Sequence, residues 1–161
     1  MVPVSSVVER ERFQLRPATP ADAAPLSDLA VRSKRHWGYD DTFIASVRDE
    51  LTVTEEQIER GRVFVLERQD RIVGFYGLAW DPPTADLTWM FVDPAAIGHG
   101  HGRRLWEHAV GTARALGYAD IVIESDPYAE GFYRSMGARL EGRSPSRFIP
   151  GRVLPVLRYR L

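Results

Sequence analysis

The segment FVDPAAIGHGHGRRL, residues 91–105, is the most informative part of this chain. An apolar segment ends at Val92, glycines follow at positions 98, 100 and 102, and apolar residues at helical spacing begin at Leu105. This pattern predicts a strand, a glycine-rich loop and a helix that begins near Gly102. The first amides of a helix have no partners within it and lie at the positive end of its dipole. The sequence therefore predicts an anion site suited to phosphate.

A nucleotide fingerprint, a metal site and a structural turn are alternative roles for this loop. A dinucleotide fingerprint needs G-x-G-x-x-G and a Walker loop needs G-K-[ST], and the sequence matches neither pattern. A metal site would use His99 and His101, with His108 as a third ligand. Cysteine and acidic ligands are missing at the spacings that zinc sites use, so we expect no metal. A purely structural glycine loop stays open, because glycine is common at turns.

Composition excludes several classes of protein. The chain has 161 residues, enough for one domain, and its hydrophobic fraction of 44% is ordinary for a globular protein. A net charge of -1 gives no general attraction to nucleic acid or to a membrane, so we expect neither as a partner. Without cysteine there is no disulfide framework and no thiol nucleophile. The sequence shows no signal peptide and no apolar run of membrane-spanning length, so we expect a soluble cytoplasmic protein.

Outward from the loop, the periodicity predicts one mixed α/β domain over residues 1–161, with residues 1–11 as a loose arm. Pro155 predicts a bulge or a sheet edge in the last strand. Strands are expected at residues 13–15, 62–67, 71–80, 86–92, 121–123, 138–142 and 153–161. Helices are expected from Thr19 through Ala30, from Asp41 through Leu51, from Thr54 to Gly61, over residues 105–116 and over residues 129–136.

The residues FVDPAAIGHGHGRRL resemble motif A of the GCN5-related N-acetyltransferase (GNAT) superfamily, V-x-P-x-x-[RQ]-G-x-G-x-G-x-x-L. The segment SDPYAEGFYRSMGA, residues 125–138, is similar to a second segment of that family. The resemblance implies the GNAT fold, which is a central, mostly antiparallel, twisted sheet flanked by helices. It also implies an N-acetyltransferase with acetyl-CoA as co-substrate.

By this resemblance, the loop amides bind the pyrophosphate of acetyl-CoA, and the strand before the loop pairs with the pantetheine arm. Ile97 departs from the family pattern, which has Arg or Gln at that position. The side chains of His99 and His101 need no catalytic role. The cofactor-binding residues implied are Met90, Phe91 and Val92 of the strand, and Gly98, His99, Gly100, His101, Gly102 and Arg103 of the loop.

The resemblance also suggests catalytic residues. Tyr133 matches the family tyrosine that protonates the departing thiolate, and a phenol can donate a proton to a thiolate. Packing in the core is the alternative for Tyr133. Asp86, near the start of the strand before the loop, is the expected general base, and Glu124 is its rival. Either carboxylate could instead be a solvated charge at a strand end.

The acceptor site is expected near residues 33–41, where Trp37 and Tyr39 could wall a pocket and Asp40 or Asp41 could attract a cationic amine. Residues 142–152 could form a second wall. This lining favours a small-molecule amine, with a protein or peptide amine as the alternative substrate. A coenzyme A-binding module without turnover is the alternative function. The terminal strands make a homodimer reasonable.

Overall fold

The computed structural model describes residues 13–161, so the expected arm at residues 1–11 lies outside the described residues. No helix in this part of the chain has both the length and the apolar character needed to cross a membrane. The strands are β1 (Phe13–Pro17), β2 (Arg62–Arg68), β3 (Arg71–Ala79), β4 (Thr84–Val92), β5 (Asp120–Glu124), β6 (Arg139–Pro145) and β7 (Val153–Arg160). The helices are α1 (Ala23–His36), α2 (Asp41–Ser46), α3 (Arg48–Leu51), α4 (Glu55–Arg60), α5 (His101–Ala115) and α6 (Glu130–Ser135).

The seven strands form one sheet in the order β1-β2-β3-β4-β5-β7-β6. Neighbouring strands are antiparallel everywhere except between β4 and β5, which run parallel. The expectation of a mixed α/β fold with a mostly antiparallel sheet is confirmed. The single parallel pair positions the candidate site, because β4 and β5 run in the same direction beyond the residues at which they pair.

Two apolar layers cover the two faces of the sheet. Side chains alternate along a strand, so Phe75 and its neighbour Tyr76 enter opposite layers. One layer packs α5 against the sheet through Leu105 and Trp106, and the other packs α1 through Leu26 and other residues. Complete burial of a large apolar side chain stabilises a fold by about 1.5–3 kcal/mol. These layers therefore fix the sheet in which β4 and β5 lie.

A local capping signal places the start of α4 correctly, whereas the helix expected from Thr19 begins at Ala23, after a 3-10 turn over Pro20–Asp22. In α4, the Thr54 hydroxyl accepts from the Gln57 amide at 3.1 Å, and the Gln57 side chain accepts from the Thr54 amide at 2.9 Å. The single helix expected from Asp41 to Leu51 is wrong in one respect. Val47, at φ -107°, leaves the helical region and divides that segment into α2 and α3.

Of the two alternatives for Pro155, a bulge or a sheet edge, the edge position is wrong. β7 lies between β5 and β6, and the register shift is in β6 between Leu140 and Gly142. The Ser125 amide donates to the Pro155 carbonyl at 2.8 Å, one residue beyond the end of β5. The amide hydrogen that proline lacks therefore falls outside the β5–β7 ladder, and an internal strand tolerates it.

Candidate active site

The parallel strands β4 and β5 part and leave a cleft. They pair only over residues 84–86 of β4 and residues 120–122 of β5. A register shift in the β3–β4 ladder, where Gly77 pairs with Trp89 and Leu78 with Leu87, leaves Thr88 as an extra residue. Beyond Asp86, no strand among residues 13–161 pairs with the β5-facing edge of β4. Backbone groups of this edge are therefore available to a ligand.

The cleft has two walls, and each combines apolar and charged side chains. Residues of α1, α3 and β4 form one wall, and residues of β5, the following turn and α6 form the other. The lining residues are Ser33, Lys34, Trp37, Glu50, Leu87, Thr88, Trp89, Met90 and Phe91 on the first wall, and Ile123, Glu124, Ser125, Asp126, Tyr128, Ala129 and Tyr133 on the second. Of the strand residues expected to bind cofactor, Met90 and Phe91 line the cleft, and Val92 follows them at the end of β4.

The glycine loop leads from β4 into α5, as expected, although the helix begins at His101 rather than Gly102. Gly98 and Gly100 have φ angles of 89° and 77°, a region that side-chain-bearing residues avoid. This conformation turns the chain into a 15-residue helix whose first amides lack intrahelical acceptors. The loop therefore has the geometry of an anion site at a helix start.

The side chains of the loop divide into exposed and buried groups. His99 is exposed, and so is Arg103, which lies 3.9 Å from Glu107. His101 is only 1% exposed, and its ring packs against Phe13 at 5.0 Å. Burial lowers the pKa of His101, and its ring nitrogens make no hydrogen bond to any residue of the described chain. An anion in the loop would meet the backbone amide of His101 rather than its ring.

Ile97 is 41% exposed and does not brace the loop. Its backbone is extended, and its amide donates to the Pro94 carbonyl at 3.4 Å. The loop therefore adopts its turn without the Arg or Gln side chain of the family pattern.

Tyr133 lies in α6 with its ring between other aromatic rings and the cleft. The ring is 6% exposed and packs edge-on against Trp106 at 5.8 Å and Phe132 at 5.2 Å. Its hydroxyl makes no hydrogen bond to residues 13–161, and burial raises the pKa of the phenol. Tyr133 is therefore both a core residue and a protonated group in the cleft wall.

The expected base and its rival occupy different positions. Asp86 lies in the paired part of β4, opposite Val122, and is not among the residues that line the cleft. Burial, and then the charge of Glu124, raise the pKa of Asp86. Glu124 ends β5, lines the cleft and accepts from the Ser144 hydroxyl at 3.1 Å. The structure thus brings Glu124, rather than Asp86, to the cleft surface.

Sequence reasoning missed a third acid, Glu50 of α3. The Trp89 indole donates to the Glu50 carbonyl at 3.0 Å, which fastens α3 to β4. The Glu50 side chain is open to solvent on one side, yet the surrounding cleft desolvates its carboxylate and raises its pKa. No signal in the sequence distinguishes Glu50 from the other acids of α3 and α4.

A buried ionic cluster, which we call the Asp126 cluster, joins the cleft walls. It consists of Lys34, Tyr39, Asp126 and Arg152, and its charged side chains are 9–15% exposed. The Asp126 carboxylate accepts from Lys34 at 2.6 Å, from the Tyr39 hydroxyl at 3.0 Å and from Arg152 at 3.2 Å. Burial would raise the pKa of Asp126, but Lys34 and the hydrogen bonds hold it below its usual value. Burial and the Asp126 charge raise the pKa of Tyr39 to about 12.

The other expected acceptor-site residues have mixed positions. Trp37 lines the cleft, whereas Tyr39 belongs to the Asp126 cluster, and its ring stacks on Phe43 at 4.0 Å. Asp40 caps α2 by accepting from the Phe43 amide at 2.8 Å, and Asp41 pairs with Arg35 at 3.0 Å. The segment 142–152 reaches the cluster through Arg152. Residues 13–161 contain no group of three His, Cys, Asp or Glu residues that could hold a metal ion.

Known proteins share both the sequence pattern and the fold of this chain. The model of the acetyltransferase (GNAT) family matches residues 28–138, which is more than half of the chain. The chain belongs to the GNAT family. Solved GNAT structures share its fold across almost its whole length. A GCN5-related N-acetyltransferase from Rhodopseudomonas palustris has a TM-score of 0.78 at 21% identity, covering 92% of this chain and 95% of that one.

A second solved GNAT structure is the PaiA N-acetyltransferase of Thermoplasma acidophilum in complex with coenzyme A. It has a TM-score of 0.78 at 15% identity, and the match covers 93% of this chain and 99% of that one. At these identities the likeness shows the fold of the GNAT family and not a particular substrate.

Curated GNAT relatives include two proteins named peptidyl-lysine N-acetyltransferase YjaB. The one from Salmonella typhimurium is 40% identical over 76 residues, which is 47% of this chain and 48% of that protein. The one from Escherichia coli is 37% identical over 79 residues, which is 49% of this chain and 50% of that protein. The matched region therefore spans about half the length of each relative.

Proposed function

We propose that this GNAT protein is an N-acetyltransferase that transfers the acetyl group of acetyl-CoA directly to a primary amine. The observation that carries the proposal is the opening between β4 and β5. One cleft there combines an unpaired strand edge with the side chain of Tyr133, and the anion-binding loop follows directly after β4. Direct transfer needs acetyl-CoA and the amine at a single site. The cleft between the two walls reaches from β4 to α6 and is proposed as that site.

The cofactor side of the cleft suits a long, flexible thioester with a pyrophosphate. Residues 90–92 would exchange backbone hydrogen bonds with the pantetheine arm, as an added strand does. The amides of residues 98–103 would bind the pyrophosphate at the start of α5, and the exposed Arg103 adds positive charge. A backbone amide of β4 would polarise the thioester carbonyl.

The reaction needs two proton transfers. The amine nitrogen forms a bond to the acetyl carbon, the carbon–sulfur bond breaks, and a base takes a proton from the amine. Tyr133 would donate its phenolic proton to the departing thiolate. A phenol is protonated at neutral pH, and burial favours this neutral form of Tyr133 further.

For the base we propose Glu124 ahead of Asp86, because Glu124 lines the cleft whereas Asp86 would act through an intervening water. Glu124→Gln is expected to lower kcat about tenfold at neutral pH, and Asp86→Asn about threefold. The Glu124 effect is below the ~100-fold typical of a lost acid or base, because other carboxylates remain near enough to accept the proton. Steady-state rates of the two variants decide the order. A larger loss in Asp86→Asn would assign the base to Asp86.

The acceptor is a primary amine, which we propose is that of a small molecule. A lysine side chain of a protein is the second candidate, because the curated relatives that match half of this chain carry the name peptidyl-lysine N-acetyltransferase. A coenzyme A-binding module without turnover is the competing function.

One experiment separates these functions. Coenzyme A is titrated while thermal unfolding is followed, and thiol release from acetyl-CoA is then measured with a panel of small amines and lysine peptides. The proposal predicts a rise in Tm on binding and thiol release with at least one amine. Stabilisation without thiol release for any amine would favour the binding module, and no stabilisation would contradict both functions.

The loop conformation gives a further prediction. Gly100→Ala is expected to weaken coenzyme A binding about tenfold. A side chain at the left-handed φ that Gly100 adopts costs roughly 1–2 kcal/mol, and the free loop of the variant avoids this cost by leaving the binding conformation. Isothermal titration measures the change. Gly111→Ala is the matched control, since Gly111 lies in the interior of α5 with open space around it. Equal affinities for the two variants would contradict the role of the loop.

A further inference from the structure

Two exposed aromatic rings stand at the cleft. Trp37 is 45% exposed and Tyr128 is 61% exposed, and both line the cleft. Trp37 follows the end of α1, whereas Tyr128 lies in the turn after β5, so the rings belong to opposite walls. Their centroids are 5.7 Å apart and their planes differ by 11°, which is an offset stack. Large exposed aromatic side chains that line a cleft are typical of a ligand subsite.

Two carboxylates line the same cleft, again from opposite walls. They belong to Glu50 and Glu124, and neither forms an ion pair with any residue in the described part of the chain. The positive charges of Lys34 and Arg152 act on Glu50, but both groups are already paired with Asp126. The cleft desolvates the Glu50 carboxylate, and the Glu124 carboxylate lines the same cleft, so the binding of a cation there is favoured.

The Asp126 cluster connects the two chain segments that carry the rings. The Trp37 amide donates to the Lys34 carbonyl at 3.2 Å, and the Tyr128 amide donates to the Asp126 carboxylate at 2.9 Å. The Lys34–Asp126 ion pair, at 2.6 Å, therefore connects the two segments that carry the rings. The backbone positions of Trp37 and Tyr128 are therefore held close to each other on the two sides of the cleft.

We propose that Trp37 and Tyr128 are specificity-determining residues that bind the alkyl stem of an alkylammonium acceptor. The ammonium end of that acceptor is attracted by the carboxylates of Glu50 and Glu124. A lysine side chain and a free aliphatic diamine share this chemistry, which a compact amine without a stem lacks. The inference rests on the proposed acetyl transfer and specifies its acceptor class.

The test compares three acceptors with the 161-residue chain: Nα-acetyl-lysine methylamide, cadaverine and glycinamide. Trp37→Ala is expected to lower kcat/KM roughly tenfold for the two alkylammonium acceptors, through lost stem packing and cation–π attraction, and less than about twofold for glycinamide. Trp37→Phe retains a ring and is expected to recover most of the loss. The KM for acetyl-CoA is expected to stay unchanged in both variants.

Trp80→Ala is the matched control, because Trp80 is a tryptophan with 65% exposure that does not line this cleft. An equal loss for all three acceptors in Trp37→Ala, or no loss, would overturn the inference. Wild-type preference for glycinamide would overturn it as well. If the wild type releases no thiol with any amine, the proposed function itself fails. A higher kcat/KM for the lysine derivative than for cadaverine indicates that the acceptor is a lysine side chain of a polypeptide. The reverse order indicates a free diamine.

Discussion

The Tyr133→Phe variant is expected to turn over about 100 times more slowly than the wild type, with an unchanged Kd for coenzyme A. Phenylalanine keeps the ring that packs against Trp106 and removes only the hydroxyl. Because that hydroxyl makes no hydrogen bond to residues 13–161, its loss leaves no partner unsatisfied. Stability is therefore expected to change little, and the effect should fall on the chemical step.

Tyr159→Phe serves as the control for this prediction. Tyr159 also packs edge-on against Trp106, at 5.2 Å, but does not line the cleft. Its variant is expected to keep wild-type turnover. Single-turnover rates of thiol release and a coenzyme A titration measure the two quantities separately. A kcat for Tyr133→Phe within about threefold of the wild type would show that the residue only fills space.

The Asp126→Ala variant is expected to lose about 3–5 kcal/mol of the free energy of unfolding, because it leaves Lys34 and Arg152 as buried cations without their carboxylate. For a domain of this size, such a loss corresponds to a fall in Tm of about 10 °C. The Tyr39 hydroxyl and the Tyr128 amide lose an acceptor as well. Thermal and denaturant unfolding measure the change.

Asp41→Ala provides the comparison, since the Arg35–Asp41 pair is 54% and 89% exposed and such pairs contribute about 0–1 kcal/mol. The pH dependence gives a second check. The pKa of Asp126 is lower in the folded state, so its contribution is present above about pH 4, near the unfolded pKa, and is lost as pH falls through the folded pKa. The gap between wild type and Asp126→Ala is expected to narrow in that acidic range. A gap that does not change with pH would contradict the ionic origin of the effect.

Features encoded by neighbouring residues could be predicted from the sequence. The glycine loop, the start of α5 and the Thr54–Gln57 cap depend on residues a few positions apart, and the structure contains all three. A sequence motif identifies Tyr133, and the structure brings it to the cleft. Its catalytic role stays a prediction, as do those of Asp86 and Glu124.

Features that depend on distant residues could not be predicted. Lys34 and Asp126 are 92 positions apart in the sequence, and Tyr39 and Arg152 are 113 apart. No local sequence pattern therefore predicts the Asp126 cluster. The internal position of β7 could not be predicted for the same reason, because tertiary packing determines that β7 pairs with β5 and β6. Which of Asp86 and Glu124 lines the cleft depends on where β4 and β5 separate. The alternation of residues within one strand does not reveal that point, so the sequence favoured Asp86.

Lys34 is the one lysine in this sequence, and it is 7% exposed within the Asp126 cluster. These 161 residues therefore offer no exposed lysine amine that the proposed chemistry could modify. Acetyl-lysine detected by antibody or mass spectrometry in a reaction mixture would then come from the acceptor, without a background from self-modification. Lysine-directed labels and cross-linkers would likewise mark a bound protein partner and pass over the lysine of this chain.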